Sequence, residues 1–314
     1  MSIIAITDYF TEPDVEREIL GDLVGTQPGP DTEVLLVWHD HITGDYVDRL
    51  PALRGVQRYG VGYDNLDLPT LEQRGIIACN NPDYGVDEVS DTTVAMILNI
   101  VRGVYTYDHA ARVYRTNWQE NVNRAIKRTS DNVLGVVGAG RIGGSVLLKC
   151  RALGFQTLFY DPYRPRGYEK MLQSRRVDSL SELLAASDIV SVHAPLSDET
   201  RGMIDSAFLA AMKPGSALVN TARGGLLANT AILHDALRSE HLRGVALDVL
   251  PQEPPADDPL INAWRNSEPW LRGRFIINPH TSYYSAASSR ELRINAACNA
   301  LRIYENQTPY NLLY

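Results

Sequence analysis

Val133-Leu-Gly-Val-Val-Gly-Ala-Gly-Arg-Ile-Gly143 decides the fold of this 314-residue chain. Its first five residues are apolar and rich in valine, the pattern of a strand buried in a parallel sheet. The run breaks at Gly138-Ala139-Gly140-Arg141-Ile142-Gly143, and then Ile142, Val146, Leu147, Cys150 and Leu153 recur at helical spacing up to Gly154. Strand, glycine turn and helix in that order give G-x-G-x-x-G its meaning as a dinucleotide-binding turn. Gly138 permits the tight turn, Gly140 lets a pyrophosphate approach the backbone, and Gly143 lets helix and strand pack closely. The helix N-terminus offers the anion unpaired N–H groups and the positive end of its dipole. Residues 156–160 read as the next strand and end in Asp161, eighteen residues after Gly143. An acid there accepts hydrogen bonds from the adenosine ribose and repels a 2′-phosphate, so NAD is expected rather than NADP. Arg164 and Arg166 follow closely, and arginines at this point can receive a 2′-phosphate.

Composition narrows the classes around that turn. A length of 314 residues suits one large or two ordinary domains. Net charge −8 argues against a broad nucleic-acid footprint. Cys79, Cys150 and Cys298 form no pair at metal or redox spacing, so they read as small buried hydrophobes in a reducing compartment. The opening Met1-Ser-Ile-Ile-Ala-Ile-Thr-Asp8 is too short and too soon polar for a signal peptide. No apolar run reaches the ~20 residues that span a bilayer, so a cytoplasmic protein without membrane contact is expected.

Strand and helix patterns alternate along the whole chain. Residues 2–7, 33–38, 55–60 and 76–80 read as strands, with helical stretches from 13, at 43–50 and at 70–75. Residues 86–107 read as one long helix without a breaker, and 115–130 as a polar segment near the change of domain. After the glycine turn, Ser179-Leu-Ser-Glu182 has the form of a capping box. Strands follow at 188–193, 216–221, 244–249 and 275–278, with helices at 205–212, from 229 and at 285–305. No self-similar repeat is present. The expected architecture is two Rossmann-like doubly wound parallel-sheet domains with an interdomain cleft, where such sheets bind ligands.

Arg223, Asp248, Glu253 and His280 fall at or just after strand ends of the second half. The Arg223 guanidinium is a planar fork able to hold a carboxylate with two hydrogen bonds. His280 becomes an acid–base group if a carboxylate such as Glu253 supports it, because that bond fixes the tautomer and favours the protonated imidazole. Spacing alone does not bring the three side chains together.

The ordered set Gly138–Gly143, Asp161, Asn220-Thr-Ala-Arg-Gly-Gly225, Ala246-Leu-Asp-Val249, Glu253-Pro254 and Pro279-His280 resembles the NAD-dependent D-2-hydroxyacid dehydrogenases. Gly60-Val-Gly-Tyr-Asp-Asn-Leu-Asp67 belongs to the same likeness, which covers essentially the whole chain. Phe159-Tyr-Asp-Pro-Tyr163, Leu226 after the second glycine and Tyr283-Tyr284-Ser285 make it most similar to the C-terminal-binding-protein branch. The resemblance implies catalysis by Arg223, Glu253 and His280. It implies NAD binding by Gly138, Ala139, Gly140, Arg141, Ile142, Gly143, Asp161, Ala194, Pro195, Thr200, Thr221, Ala222 and Asp248. It implies 2-oxo or 2-hydroxy acid binding by Arg58, Val61, Gly62, Arg223, His280 and Tyr283, which stands where that branch carries tryptophan. A discontinuous substrate domain of residues 1–100 plus 284–314, an NAD domain of 101–283 and a homodimer through the nucleotide domain are further implications. The stretch 257–274, with Trp264 and Trp270, is longer than in most members; it reads as a surface loop with two anchoring aromatics or as a cover for the cleft. A rival reading is an NAD(H)-sensing interaction protein like the corepressors of that branch. The prompt opening strand and the lack of a long tail weigh against that rival, and a formate- or phosphite-like substrate is a third possibility.

Overall fold

The structure is a computed structural model and describes residues 2–112, 114, 118–120, 122–123 and 126–314. It divides into two compact units, Met1–Gly85 with Tyr284–Tyr314, and Val86–Tyr283. Both are built on parallel sheets, as the alternation of strands and helices requires.

The first unit carries strands β1 (Ile4–Ile6), β2 (Val24–Gly25), β3 (Val34–Val37), β4 (Gly55–Arg58) and β5 (Ile77–Cys79), in the order β2-β1-β3-β4-β5. This is the order of flavodoxin-like sheets. Leu35, Val37, Val56 and Ala78 face Ile42, Val47, Leu50 and Leu71, all buried. The helix Ala286–Tyr304 returns to this unit, opened by a capping box in which Ser285 and Ser288 bond each other's backbone N–H. It lies so close to β4 that a Cβ on Gly55 would sit 2.5 Å from Ile303. Only glycine fits that contact.

The second unit adds β6 (Val133–Val137), β7 (Gln156–Tyr160), β8 (Arg175–Arg176), β9 (Ile189–Val192), β10 (Ser216–Asn220), β11 (Leu242–Leu247) and β12 (Phe275–Ile277). Their order is β8-β7-β6-β9-β10-β11-β12, so the chain reverses direction across the sheet between β6 and β9. A crevice at such a switch point is where doubly wound sheets hold ligands. Apolar layers cover both faces, as buried parallel strands demand.

Several sequence expectations change, the burial of the cysteines among them: Cys79 and Cys150 are buried, but Cys298 is exposed. Helix Val86–Arg102 packs Met96, Ile97 and Val101 into the core with Val136, Phe159 and Val219. The second unit therefore starts at Val86, rather than at residue 101 as the sequence suggests. The single helix expected over 86–107 is two, because Gly103 adopts φ 64° and a second helix, Val104–Ala111, begins after it. Part of the expected domain change at 115–130 (residues 115–117, 121, 124 and 125) lies outside the described residues. Residues 257–274 are not a plain loop. Asp258 caps a helix, Pro259–Arg265, whose Leu260, Ile261 and Ala263 are buried, and Trp264 and Trp270 pack on the same core. The two-residue strands β2 and β8 are too short to leave a periodic signal. Among the described residues no helix is long and apolar enough to cross a membrane. No group of three or more His, Cys, Asp or Glu among them could hold a metal ion.

Candidate active site

The glycine turn is shaped by close contacts. Gly138 has φ 87°, and a Cβ on it would lie 2.9 Å from the backbone of His193 and Ala194 at the end of β9. A Cβ on Gly143 would lie 2.0 Å from the Gly138 carbonyl oxygen, so helix Arg141–Ala152 packs directly on the turn. Gly140 differs. A Cβ there would meet only the tip of the Arg164 side chain, at 3.4 Å. The protein's own packing does not demand glycine at 140, whereas a ligand approaching the backbone does. That open side, at a helix N-terminus, fits the pyrophosphate of a dinucleotide. Asp161 closes the turn from β7: its Oδ2 accepts from Ala139 N–H (2.9 Å) and its Oδ1 from Tyr163 N–H (3.0 Å).

Other expected cofactor residues have internal tasks. Ala139 and Ala194 are buried, Arg141 is exposed, and Ile142 is partly buried against the core. Pro195 is exposed, and its carbonyl accepts from the Thr200 hydroxyl (2.6 Å), which also accepts from Ser197 N–H (2.9 Å). Thr200 thus shapes its own loop. Thr221 is turned inward, its hydroxyl 2.8 Å from that of Thr93. Ala222 donates its N–H to Asn220 (3.0 Å).

Beyond β10, β11 and β12 the ladder continues for a residue or more. Asp248 N–H donates to the Asn220 carbonyl (3.0 Å), Asn278 N–H to Leu247 (2.9 Å) and His280 N–H to Asp248 (2.9 Å). This lines up three strand ends. Arg223 follows the first, where Asn220 donates its side-chain N–H to the Arg223 carbonyl (2.9 Å). A Cβ on Gly224 would collide with the Leu250 carbonyl, so the loops after β10 and β11 touch at their backbones. Leu250 N–H donates to Glu253 Oε1 (2.8 Å), and Glu253 Oε2 lies 2.7 Å from His280 Nδ1. Both side chains of this pair are part-exposed.

Burial pushes the Glu253 carboxyl up, but the His280 hydrogen bond and charge, the Leu250 N–H and the Arg223 charge outweigh it and lower it. Glu253 is therefore an anion at neutral pH and accepts from His280 Nδ1–H, leaving Nε2 to meet a ligand. Asp248 is 3% exposed, and burial raises its carboxyl despite bonds from Ser282 and Thr281 and the His280 charge. Its Oδ1 accepts from the N–H groups of Thr281 (3.0 Å) and Ser282 (3.1 Å). The Asp248 carboxylate thus organises the turn that carries His280, itself at φ 54°. Tyr283, partly buried, ends this unit.

In the first unit, Arg58 ends β4, donates to Asn65 Oδ1 (3.2 Å) and lies over Trp38 (5.9 Å). The Val61 carbonyl accepts from the Asn80 side chain (2.7 Å), and Gly62 is partly exposed. Two features there and beside the glycine turn carry no motif. Asp8 holds His39, Oδ2 to Nδ1 2.9 Å. His193, its Nε2 2.9 Å from Ser191 Oγ, is pushed down to about 4 by burial. Only the position of each beside a strand end could have drawn notice.

A family model described as "D-isomer specific 2-hydroxyacid dehydrogenase, NAD binding domain" matches residues 94–282, well over half of the chain. C-terminal-binding protein 1 of Caenorhabditis elegans is 30% identical over all of this chain and 42% of its own length. D-3-phosphoglycerate dehydrogenase of Methanocaldococcus jannaschii is 34% identical over 74% of this chain and 44% of its own. The chain spans less than half the length of these two relatives. The solved D-lactate dehydrogenase of Aquifex aeolicus, in complex with NAD and lactic acid, matches with a TM-score of 0.85 and 27% identity, over 99% of this chain and 98% of that one. NAD is the cofactor that the matched domain and the open side of Gly140 both fit. By the extent of the family match, this chain belongs to the D-isomer specific 2-hydroxyacid dehydrogenase family.

Proposed function

We propose that this chain is an NAD-dependent 2-hydroxyacid dehydrogenase that interconverts a 2-hydroxy acid and its 2-oxo acid. The observation that carries the reading is the 2.7 Å pair of His280 Nδ1 and Glu253, within the influence of Arg223, in the unit that bears the glycine turn. NAD, held at the glycine turn, would supply the hydride acceptor and donor for C2. Arg223 binds the substrate carboxylate as a bidentate partner and polarises the 2-carbonyl. In oxidation, neutral His280 removes the hydroxyl proton at Nε2, and the imidazolium formed is stabilised by anionic Glu253. In reduction the same imidazolium returns the proton to the ketone oxygen. Arg58, the Val61–Gly62 backbone and Tyr283 are the proposed further substrate contacts. The remaining expected cofactor residues bind mainly through loop backbone, since the hydroxyls of Thr200 and Thr221 have internal partners.

The test is a panel of 2-oxo acids with NADH, followed at 340 nm. Turnover of at least one, abolished by His280→Ala, is expected; none across monocarboxylate, dicarboxylate and aromatic acids would sink the reading. A second reading, an NAD(H)-sensing interaction protein, is favoured by the whole-chain likeness to C-terminal-binding protein 1. It predicts NAD-dependent assembly without turnover. A homodimer through the second unit completes the proposal, supported by exposed Val104, Tyr105, Trp118 and Val122. Light scattering of a Val104→Glu variant should then show a monomer.

A further inference from the structure

We infer that Arg164 makes the adenosine end of the nucleotide site accept a 2′-phosphate, so that the chain binds NADP(H) as well as NAD(H). An acid at the end of the second strand excludes that phosphate by repulsion and by keeping its oxygens available to the ribose. Here neither condition holds in full. Asp161 is 7% exposed, and each oxygen already accepts a backbone N–H, from Ala139 and from Tyr163. The Arg164 Nε lies 3.5 Å from Oδ2, so the carboxylate forms a pair whose net charge is zero. A dianion arriving beside a neutral pair meets far less repulsion than beside a lone carboxylate.

The guanidinium is also aimed at the ligand side of the turn. Its Nη2 lies 3.4 Å from where a Gly140 Cβ would be, the flank left open for the dinucleotide. Its carbon sits 5.3 Å from the centre of the Tyr168 ring, over which the guanidinium lies. The Nε atom is buried against Asp161 Oδ2, so the end of the fork that reaches the open flank is Nη2. Neighbouring arginines have other tasks. Arg166 pairs with Asp178 at 3.5 Å, and Arg176 donates to the carbonyls of Arg164 (2.8 Å) and Asp161 (3.1 Å), holding the segment in place. A planar fork so placed suits a phosphate with two parallel bonds.

The inference takes the nucleotide site from the dehydrogenase reading, but its test is binding and needs no turnover. Purified protein is titrated with NADH and NADPH by fluorescence, and with 5′-AMP and adenosine 2′,5′-bisphosphate by calorimetry. The wild-type Kd for NADPH should be within about tenfold of that for NADH; a wider gap overturns the inference. Arg164→Gln should widen the gap at least about fivefold and Arg164→Lys by less, with thermal unfolding unchanged. A gap that stays put in Arg164→Gln overturns it, as does failure of both nucleotides to bind. A protein that binds both nucleotides yet turns over no 2-oxo acid upholds this inference while refuting the reaction.

Discussion

Each unit of this protein holds a histidine against a carboxylate at the carboxyl ends of parallel strands, and the two pairs differ in what else the carboxylate does. In the first unit His39 Nδ1 lies 2.9 Å from Asp8; in the second His280 Nδ1 lies 2.7 Å from Glu253. The Asp8 carboxylate also accepts from the Thr7 hydroxyl (2.7 Å) and the backbone N–H groups of Trp38 (3.2 Å), His39 (2.9 Å) and Asp40 (3.4 Å). Burial raises Asp8, and these donors more than reverse it, leaving it lowered. Glu253 has one backbone donor, Leu250, and Arg223 close enough to be felt. The same kind of pair thus joins two strand ends in one place and, in the function proposed above, poises a proton in the other. The neighbours decide, not the pair.

The largest test of that contrast is His280→Ala, with Arg223→Ala beside it. Each should lower kcat on an accepted 2-oxo acid by roughly 10²–10⁴-fold, while NADH affinity stays near wild type. If His280→Ala keeps near-normal turnover, the second pair is as structural as the first. Next in size is Gly140→Ala. The variant should unfold like wild type, since its Cβ meets only a movable arginine tip, yet bind NADH about tenfold or more weakly. Gly143→Ala, whose Cβ would strike the Gly138 carbonyl, should lose stability as well.

Asp8→Asn and Glu253→Gln sharpen the comparison directly. Urea unfolding at pH 7 should show Asp8→Asn less stable by about 1–3 kcal/mol, and Glu253→Gln little changed but slower in turnover. Because the folded Asp8 carboxyl is lowered, its contribution is present above the unfolded value and fades as pH falls through the folded one. The two proteins should converge in stability at strongly acid pH. A turnover loss in Asp8→Asn with unchanged stability would reverse the assignment. At pH 7 the smallest effect is that of His193, neutral in the folded state with a pKa of about 4. The unfolded chain takes up that proton near pH 6.5 while the folded one resists, so stability should fall as pH drops from about 6.5 towards 4. His193→Asn should flatten that part of the Tm profile; an unchanged slope would refute it.

Much of the fold was legible because its signals are local. The valine-rich run, the glycine spacing and the helical periodicity after it lie within about twenty residues, and burial of a parallel strand imposes that pattern directly. Arg223, Glu253 and His280 were legible as residue types at strand ends. The break at Gly103 was not, since an isolated glycine within a helical pattern is often tolerated. Nor was the inward turn of Thr221 towards Thr93, 128 residues away.

By itself, then, the sequence determined the alternation of elements, the dinucleotide turn and the candidate chemistry, because backbone periodicity and steric demand act between near neighbours. Only the tertiary structure decided which polar atoms meet. Glu253 and His280 stand 27 residues apart, and the parallel register of β11 on β12, Leu247 opposite Ile277, sets their strand ends side by side. The oxygens of Asp161 and Asp248 went to backbone N–H groups for the same reason: a buried carboxylate takes whatever donors the packing brings, and packing is a long-range outcome.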